Sequence, residues 1–143
     1  MAKLLSPAHP FIRWFCVLLW TISVISLLLK PGDNVPGHEL AFSDFLTSFF
    51  FLEFNRYNFR EAIVHVILFG VLTVLWQWAL IRYMPRYWVL TLAFFICVVL
   101  GVGTEIGQYF VNRSSLLLDL IANLLGIVIA SISFGYMVRI KIY

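Results

Sequence analysis

The sequence predicts an all-α membrane protein, a bundle of four transmembrane helices with an interfacial amphipathic helix between the first and second spans. The chain has 143 residues, of which 62% are hydrophobic and 12% charged, and its mean hydropathy is +0.96. Soluble domains are about half apolar and about a quarter charged, so this chain lacks the polar residues to cover a water-facing surface. Its apolar residues fall into four long runs, and its length suits one such bundle, a single domain over residues 1–143.

The four runs predicted to cross the membrane are residues 12–29, 62–81, 87–110 and 115–138. A helix needs about 20 mostly apolar residues to span the hydrocarbon core, so the first run is short and the other three suffice. Arg13, at the start of the first run, is expected to snorkel towards the head groups. The LLLKPGDN that follows has no small-x-small cleavage pattern, which favours a retained helix over a signal peptide.

The one long polar connection, residues 30–61, contains the predicted interfacial helix at about 40–54. With helical spacing, its apolar and aromatic side chains share one face and its hydroxyl and carboxyl side chains another. We therefore expect this segment to lie in the membrane interface. The alternative is an ordinary loop packed over the bundle. The apolar face consists of Leu40, Phe42, Phe45, Leu46 and Phe49.

Lysine and arginine positions predict the orientation. With four spans, one side of the membrane receives six basic residues and no acidic one: Lys3, Arg13, Arg82, Arg86, Arg139 and Lys141. The other side receives four basic residues, Lys30, Arg56, Arg60 and Arg113, together with five acidic ones. Because cytoplasmic loops carry the excess of basic residues, both termini are predicted to be cytoplasmic.

The basic residues are scattered rather than gathered into a patch, which excludes a nucleic-acid partner. The sequence also has no P-loop, dinucleotide fingerprint, nucleophile elbow or H-E-x-x-H motif, so no cofactor is expected and enzymatic activity is disfavoured. Cys16 and Cys97 each lie in the middle of an apolar run. We interpret them as small buried hydrophobic residues rather than a disulfide.

Polar residues inside the predicted spans fall into one layer near the outer surface. His65, Glu105 and Asp119 come to depths that agree within about 5 Å at 1.5 Å rise per residue. Ionisable groups inside a membrane are costly and predict a functional site. Helical spacing adds Gln108 to the face of Glu105 and Asn123 to the face of Asp119, while Arg113 falls in the tight loop between the last two spans. The candidate ligand-binding residues are therefore His65, Glu105, Gln108, Arg113, Asp119 and Asn123.

Small residues predict where these helices approach one another. Gly103 and Gly107 form a G-x-x-x-G centred on Glu105, and Gly126 with Ala130 forms a small-x-x-x-small pair. Such spacings allow two helix backbones to pack closely in lipid. The polar layer is thus expected to form an internal pocket open to the outer surface.

Alternatives for this layer remain open at the level of sequence. Arg113 could simply pair with Glu105 and Asp119 and clamp the last two helices. One imidazole and two carboxylates, from His65, Glu105 and Asp119, could also bind a metal ion, although we expect none. A general acid/base pair is conceivable chemistry, but no nucleophile accompanies it. We favour a site that both clamps the helices and binds a ligand.

Two stretches, EAIVHVILFGVL and LGVGTEIGQYFVNRSSLLLDLIANLLG, resemble the VanZ-like family over residues 61–130. The ordered pattern is an acidic residue, His and F-G on one helix, then T-E-x-x-Q, an R-S turn and D-x-x-x-N-x-x-G. Two positions depart from the pattern, since Asn112 replaces the usual Gly before the turn and Glu61 replaces the commoner Asp. The matching residues are Glu61, His65, Phe69, Gly70, Thr104, Glu105, Gln108, Arg113, Ser114, Asp119, Asn123 and Gly126.

The resemblance implies a small bacterial protein of the cytoplasmic (inner) membrane. The family's namesake is associated with low-level resistance to teicoplanin, a lipid-tailed glycopeptide, and the resemblance implies no particular reaction. We therefore expect the outer-leaflet layer to bind the polar head group of a lipid, a cell-wall precursor or a lipophilic glycopeptide. The alternative is a non-catalytic accessory subunit that docks with a larger membrane protein complex.

Overall fold

The structure, a computed structural model, describes residues 10–30, 56–111 and 117–140. Within these ranges the chain is all helical, with no β-strand. The helices are α1 (Pro10–Leu28), α2 (Arg56–Leu80), α3 (Arg86–Phe110) and α4 (Leu117–Ile140). All four are long and apolar enough to cross a membrane, which confirms the predicted number and type of spans.

Three of the predicted spans match the observed helices to within about two residues at each end, and α2 differs at its start. It begins at Arg56, six residues before the predicted span at 62, and its apolar part runs from Glu61 to Leu80. A polar first turn extends a helix without crossing hydrocarbon, so hydropathy alone does not locate it. The predicted interfacial helix at 40–54 lies outside the described residues.

Prolines mark the helix ends. Pro10 is the first residue of α1, a position where the missing N–H costs nothing. Pro85 precedes α3 with φ −59° and ψ 150° and so directs the chain into the new helix. The turn between α2 and α3 is closed by the N–H of Tyr83, which donates to the carbonyl of Leu80 at 2.9 Å. This short connection makes α2 and α3 antiparallel neighbours.

Helix α2 packs against each of the other three helices, and its contact with α4 is the most extensive. The two backbones come closest at Gly126 of α4. A Cβ atom on Gly126 would lie 2.3 Å from the carbonyl oxygen of Val66 and 3.1 Å from the amide nitrogen of Gly70. The prediction that Gly126 allows close packing is confirmed, and its partner is the backbone of α2.

The G-x-x-x-G prediction at Gly103 and Gly107 is wrong. A Cβ on Gly103 would have no atom of the described residues within 4 Å, and one on Gly107 would meet the Leu29 side chain at 2.7 Å rather than a backbone. The physical reason is rotation, since two residues along a helix turn the side chain by about 200°. Gly103 therefore faces away from the buried Glu105.

The helices bury an apolar core and turn large apolar side chains outward. Phe69, Leu72, Cys97 and Ile127 are at most 1% exposed and form part of one cluster. In contrast, many aromatic and aliphatic side chains lie on the outer surface, among them Phe11, Val99, Phe110, Ile132 and Tyr136, all at least 67% exposed. This arrangement suits lipid rather than water as the surrounding solvent.

The Arg13 side chain is buried against α2 rather than exposed, as the predicted snorkelling would require. It is 3% exposed, and its Nη1 donates to the carbonyl oxygen of Trp78 at 2.9 Å. Its Cζ lies 4.8 Å from the centroid of the Trp78 ring. Trp78 stands in the last turn of α2, where carbonyl groups lack helical partners and the helix dipole attracts a cation. Arg13 therefore fastens the start of α1 to the end of α2.

Candidate functional site

Three predicted site residues from three different helices form one hydrogen-bonded group. His65 Nδ1 lies 2.9 Å from Asn123 Oδ1, and Asn123 Nδ2 donates to Glu105 Oε1 at 3.3 Å. The His65 Nδ1 to Glu105 Oε1 distance is 3.8 Å. All three side chains are at most 3% exposed. The prediction that these residues share one layer is confirmed for α2, α3 and α4.

The Asn123 amide sets the proton position on His65. A carboxylate only accepts hydrogen bonds, so the amide nitrogen of Asn123 faces Glu105 and its oxygen faces His65. That oxygen accepts a hydrogen bond, which places a proton on Nδ1 of His65. Asn123 thus relays between an imidazole donor and a carboxylate acceptor, a role that a shorter or apolar side chain cannot perform.

An apolar core begins one helical turn below this group. Four residues from His65, Glu105 and Asn123 towards the other membrane surface lie Phe69, Gly101 and Ile127, all buried. A Cβ on Gly101 would lie 3.4 Å from the Phe69 ring and 3.5 Å from the Asn123 side chain. The polar group therefore lies towards the end of the bundle where α2 and α4 begin, and it rests on packed hydrocarbon.

Gln108 is the least satisfied member of the layer. It lies three residues after Glu105 on the same face of α3, and it is 1% exposed. Neither its Nε2 nor its Oε1 has a hydrogen-bond partner within the described parts of the chain. A buried amide in this state costs about 1–3 kcal/mol for each unpaired polar group. Such a cost calls for an explanation specific to this position.

Asp119 extends the layer towards the start of α4. It is 2% exposed and precedes Asn123 by four residues, so the two side chains share one face. It also lies in the first turn of α4, where the positive end of the helix dipole favours a carboxylate. The sixth predicted site residue, Arg113, lies outside the described residues, and so does the proposed clamp that depends on it.

Sequence reasoning did not include Thr104 among the site residues, and it missed a second polar contact deeper in the protein. Thr104 is 4% exposed, and its hydroxyl donates to the carbonyl of Gly101 at 2.8 Å within its own helix. About 18 Å along α2 from His65, Gln77 Nε2 donates to Ser131 Oγ of α4 at 3.1 Å. A lone Gln in an apolar run signals such a contact, but its partner depends on how the helices are rotated.

No family model, curated protein or solved structure matches the chain. The site is therefore interpreted from its own geometry. Within residues 10–30, 56–111 and 117–140, no three His, Cys, Asp or Glu side chains are grouped so that they could hold a metal ion.

The structure also has a surface groove, which is separate from the polar layer. A groove of about 390 Å³ runs between α2, from Val66 to Leu75, and α4, from Gly126 to Ser133. Its lining is apolar apart from Ser133 and includes none of the five described site residues. The site side chains are themselves 1–3% exposed. The layer is closed in this conformation, so the expected pocket open to the outer surface is not present among the described residues.

Proposed function

We propose that this chain is a VanZ-like, multi-pass protein of the bacterial cytoplasmic membrane that binds a polar head group in its outer-leaflet layer. The helices would form a bundle with both termini in the cytoplasm. The binding residues would be His65, Glu105, Gln108, Asp119 and Asn123, with Arg113 supplying an anion contact from the adjoining loop. The ligand would belong to a lipid, a cell-wall precursor or a lipophilic glycopeptide.

The observation that carries this proposal is the buried, unsatisfied amide of Gln108. A layer that only fastened helices together would satisfy its own polar groups, as the Asn123 amide does with His65 and Glu105. Gln108 instead keeps two donors and an acceptor without partners in the described chain. A hydroxyl or amide group of a ligand complements both kinds of atom, and Glu105 one turn away accepts from hydroxyl or ammonium groups.

Entry of a head group requires the closed layer to open. Helix α3 carries Glu105 and Gln108, and it packs less extensively on α4 than α2 does. Separation of α3 from α4 at their outer ends would expose Gln108 while the contact between α2 and α4 stays intact. The proposed binding is therefore an induced opening rather than insertion into a preformed cavity.

Replacement of Gln108 by Leu tests the proposal. Leu removes the unsatisfied amide, so the ligand-free protein should be equally or more stable, yet its affinity for teicoplanin should fall about tenfold for loss of one or two buried hydrogen bonds. Glu105→Gln should insert and fold but also lose binding. The measurement is a titration of the purified protein followed by thermal unfolding, together with survival on teicoplanin of cells that express each variant.

The matched control is Gln77→Leu, a change of the same chemistry at a buried position outside the layer. It should lower stability, because Ser131 loses its partner, while the affinity of the folded fraction for teicoplanin stays within about twofold of wild type. Unchanged binding in both Gln108→Leu and Glu105→Gln would contradict the proposal and leave the layer a structural fastening.

A second candidate, an accessory subunit of a larger membrane complex, is favoured by the outward face of α3. Gly103 lies on this face in open space, beside Val102 and Ile106, which are 40% and 51% exposed. A small residue on a lipid-facing surface admits a partner helix. Recovery of a stoichiometric protein partner after gentle extraction, and its loss in Gly103→Leu, would support this candidate over ligand binding.

A further inference from the structure

Arg13 carries a buried positive charge for which the described chain supplies no carboxylate. Its guanidinium is held between α1 and α2 by the Trp78 carbonyl and ring. Its Nε has no hydrogen-bond acceptor within the described ranges. A guanidinium keeps its charge in proteins, and burying a charge is costly unless a counter-charge accompanies it.

The chain has no acidic residue at this end among the residues that the structure describes. Its seven Asp and Glu residues are at positions 33, 39, 44, 53, 61, 105 and 119. Glu61 precedes Trp78 by 17 residues on α2, or about 25 Å at 1.5 Å rise per residue, and Glu105 follows Arg86 by 19 residues on α3. No Asp or Glu occurs in residues 1–32, 62–104 or 120–143. The described residues therefore supply no counter-ion for Arg13.

The surroundings of Arg13 offer hydrogen-bond donors and further positive charge. The indole Nε1 atoms of Trp76 and Trp78 are buried and have no acceptor among the residues that the structure describes. Trp76 packs edge-on against Trp14, the neighbour of Arg13, with ring centroids 5.7 Å apart. The turn after α2 adds Arg82, which is exposed. Unused N–H groups beside cations suit a ligand group that only accepts hydrogen bonds and is negatively charged.

We propose that Arg13 and Trp78, together with Trp76, bind the phosphate of an anionic phospholipid head group. The site lies in the leaflet where α1 begins and α2 ends, opposite to the polar layer of His65 and Glu105. Guanidinium groups form paired, charge-assisted hydrogen bonds with phosphate oxygens, tryptophan concentrates at membrane interfaces, and basic sites between transmembrane helices hold anionic head groups. Both tryptophans are half-buried, so a change of their rotamers opens the guanidinium to the head group.

The test uses the purified full chain in phosphatidylcholine nanodiscs, with phosphatidylglycerol as the anionic probe and inorganic phosphate as a separate arm. Native mass spectrometry should show retained phosphatidylglycerol, which should also raise the melting temperature above that in phosphatidylcholine alone. Arg13→Gln should weaken retention about tenfold, because a buried cation is lost. Arg82→Gln removes an exposed arginine at the same end, and its effect should stay within about twofold.

Trp78→Phe provides a second variant in case Arg13→Gln does not fold, because it keeps an aromatic ring beside Arg13 and removes only the indole N–H. Retention of phosphatidylglycerol should fall about threefold for one lost hydrogen bond. Equal retention of the two lipids by the wild-type protein would overturn the proposal, and so would unchanged retention in both variants. Equal stabilisation by inorganic phosphate at the same concentration would show that free phosphate, not a lipid, occupies the site.

Discussion

At the scale of single residues, Asn123 connects the side chains of His65 and Glu105. It accepts from His65 and donates to Glu105, and these two residues lie on different helices, 40 positions apart in the sequence. Through its two hydrogen bonds, the Asn123 amide holds these two ionisable side chains at a fixed separation, 3.8 Å between His65 Nδ1 and Glu105 Oε1. The amide thus decides the geometry of both ionisable groups.

Replacement of Asn123 by Ala should destabilise the fold by about 3 kcal/mol, because both His65 and Glu105 lose a buried partner at about 1–3 kcal/mol each. The measurement is the free energy of unfolding in mixed micelles. Thr104→Val is the matched control, since the Thr104 hydroxyl bonds only within its own helix, and its cost should stay below about 1 kcal/mol. Equal losses in the two variants would show that Asn123 does not join the helices energetically.

The residue scale also shows where sequence reasoning stops. Spacing along a helix placed Gln108 with Glu105 and Asn123 with Asp119, because the helical period fixes which side chains share a face. The prediction for the Arg13 side chain was wrong because its long apolar stem allows two outcomes, extension to the head groups or burial against a neighbouring helix. The outcome depends on the Trp78 carbonyl, which reaches Arg13 only once α1 and α2 have packed.

At the scale of helices, the close contact between α2 and α4 depends on Gly126, which has no side chain. Gly126→Ala places a Cβ where the Val66 carbonyl oxygen lies, so the helices have to separate locally, at a cost of about 1–3 kcal/mol. Gly103→Ala is the control, because a Cβ there meets no atom within 4 Å and alanine favours helix by about 1 kcal/mol. Thermal unfolding in detergent should show a lower midpoint for Gly126→Ala only. A lower midpoint for Gly103→Ala as well would mean that a partner helix covers that face.

Helix number and length were predictable, whereas helix rotation was not. Because a helix needs about 20 apolar residues to cross hydrocarbon, each span appears in the sequence as a long apolar run. Rotation about the helix axis follows from packing, and it decides that Gly126 rather than Gly103 meets a backbone. A motif such as G-x-x-x-G states only that close packing is sterically allowed, so it did not identify the face that α3 turns inward.

At the scale of the whole molecule, the acidic residues that the structure describes lie towards one end of the helices. Glu61, Glu105 and Asp119 lie at that end together with the basic residues Lys30, Arg56 and Arg60, whereas Arg13, Arg82 and Arg86 lie towards the other end. The length of the apolar runs predicted the helices. The distribution of basic residues, six on one side of the membrane and four on the other, predicted their orientation. That orientation stays a prediction, and it determines which leaflet each proposed site would meet.

Orientation is measured by cysteine labelling after Cys16 and Cys97 are replaced by Ala. Tyr83→Cys places a thiol in the turn between α2 and α3, where Tyr83 is 56% exposed. A membrane-impermeant maleimide should label it only after cells are permeabilised. Val111→Cys, just after the end of α3, should be labelled in intact cells. The reverse pattern would place both termini outside and exchange the leaflets of the two proposed sites.

The close contact between α2 and α4 at Gly126 also bears on which helices can move. Because the backbones of α2 and α4 pack closely at Val66 and Gly70, we expect these two helices to move together. If the polar layer opens as proposed, the moving helix is expected to be α3, which carries Glu105 and Gln108 and packs less extensively on α4 than α2 does. The distance between α3 and α4 therefore reports the proposed opening of the polar layer. The distance between α2 and α4 serves as the fixed reference.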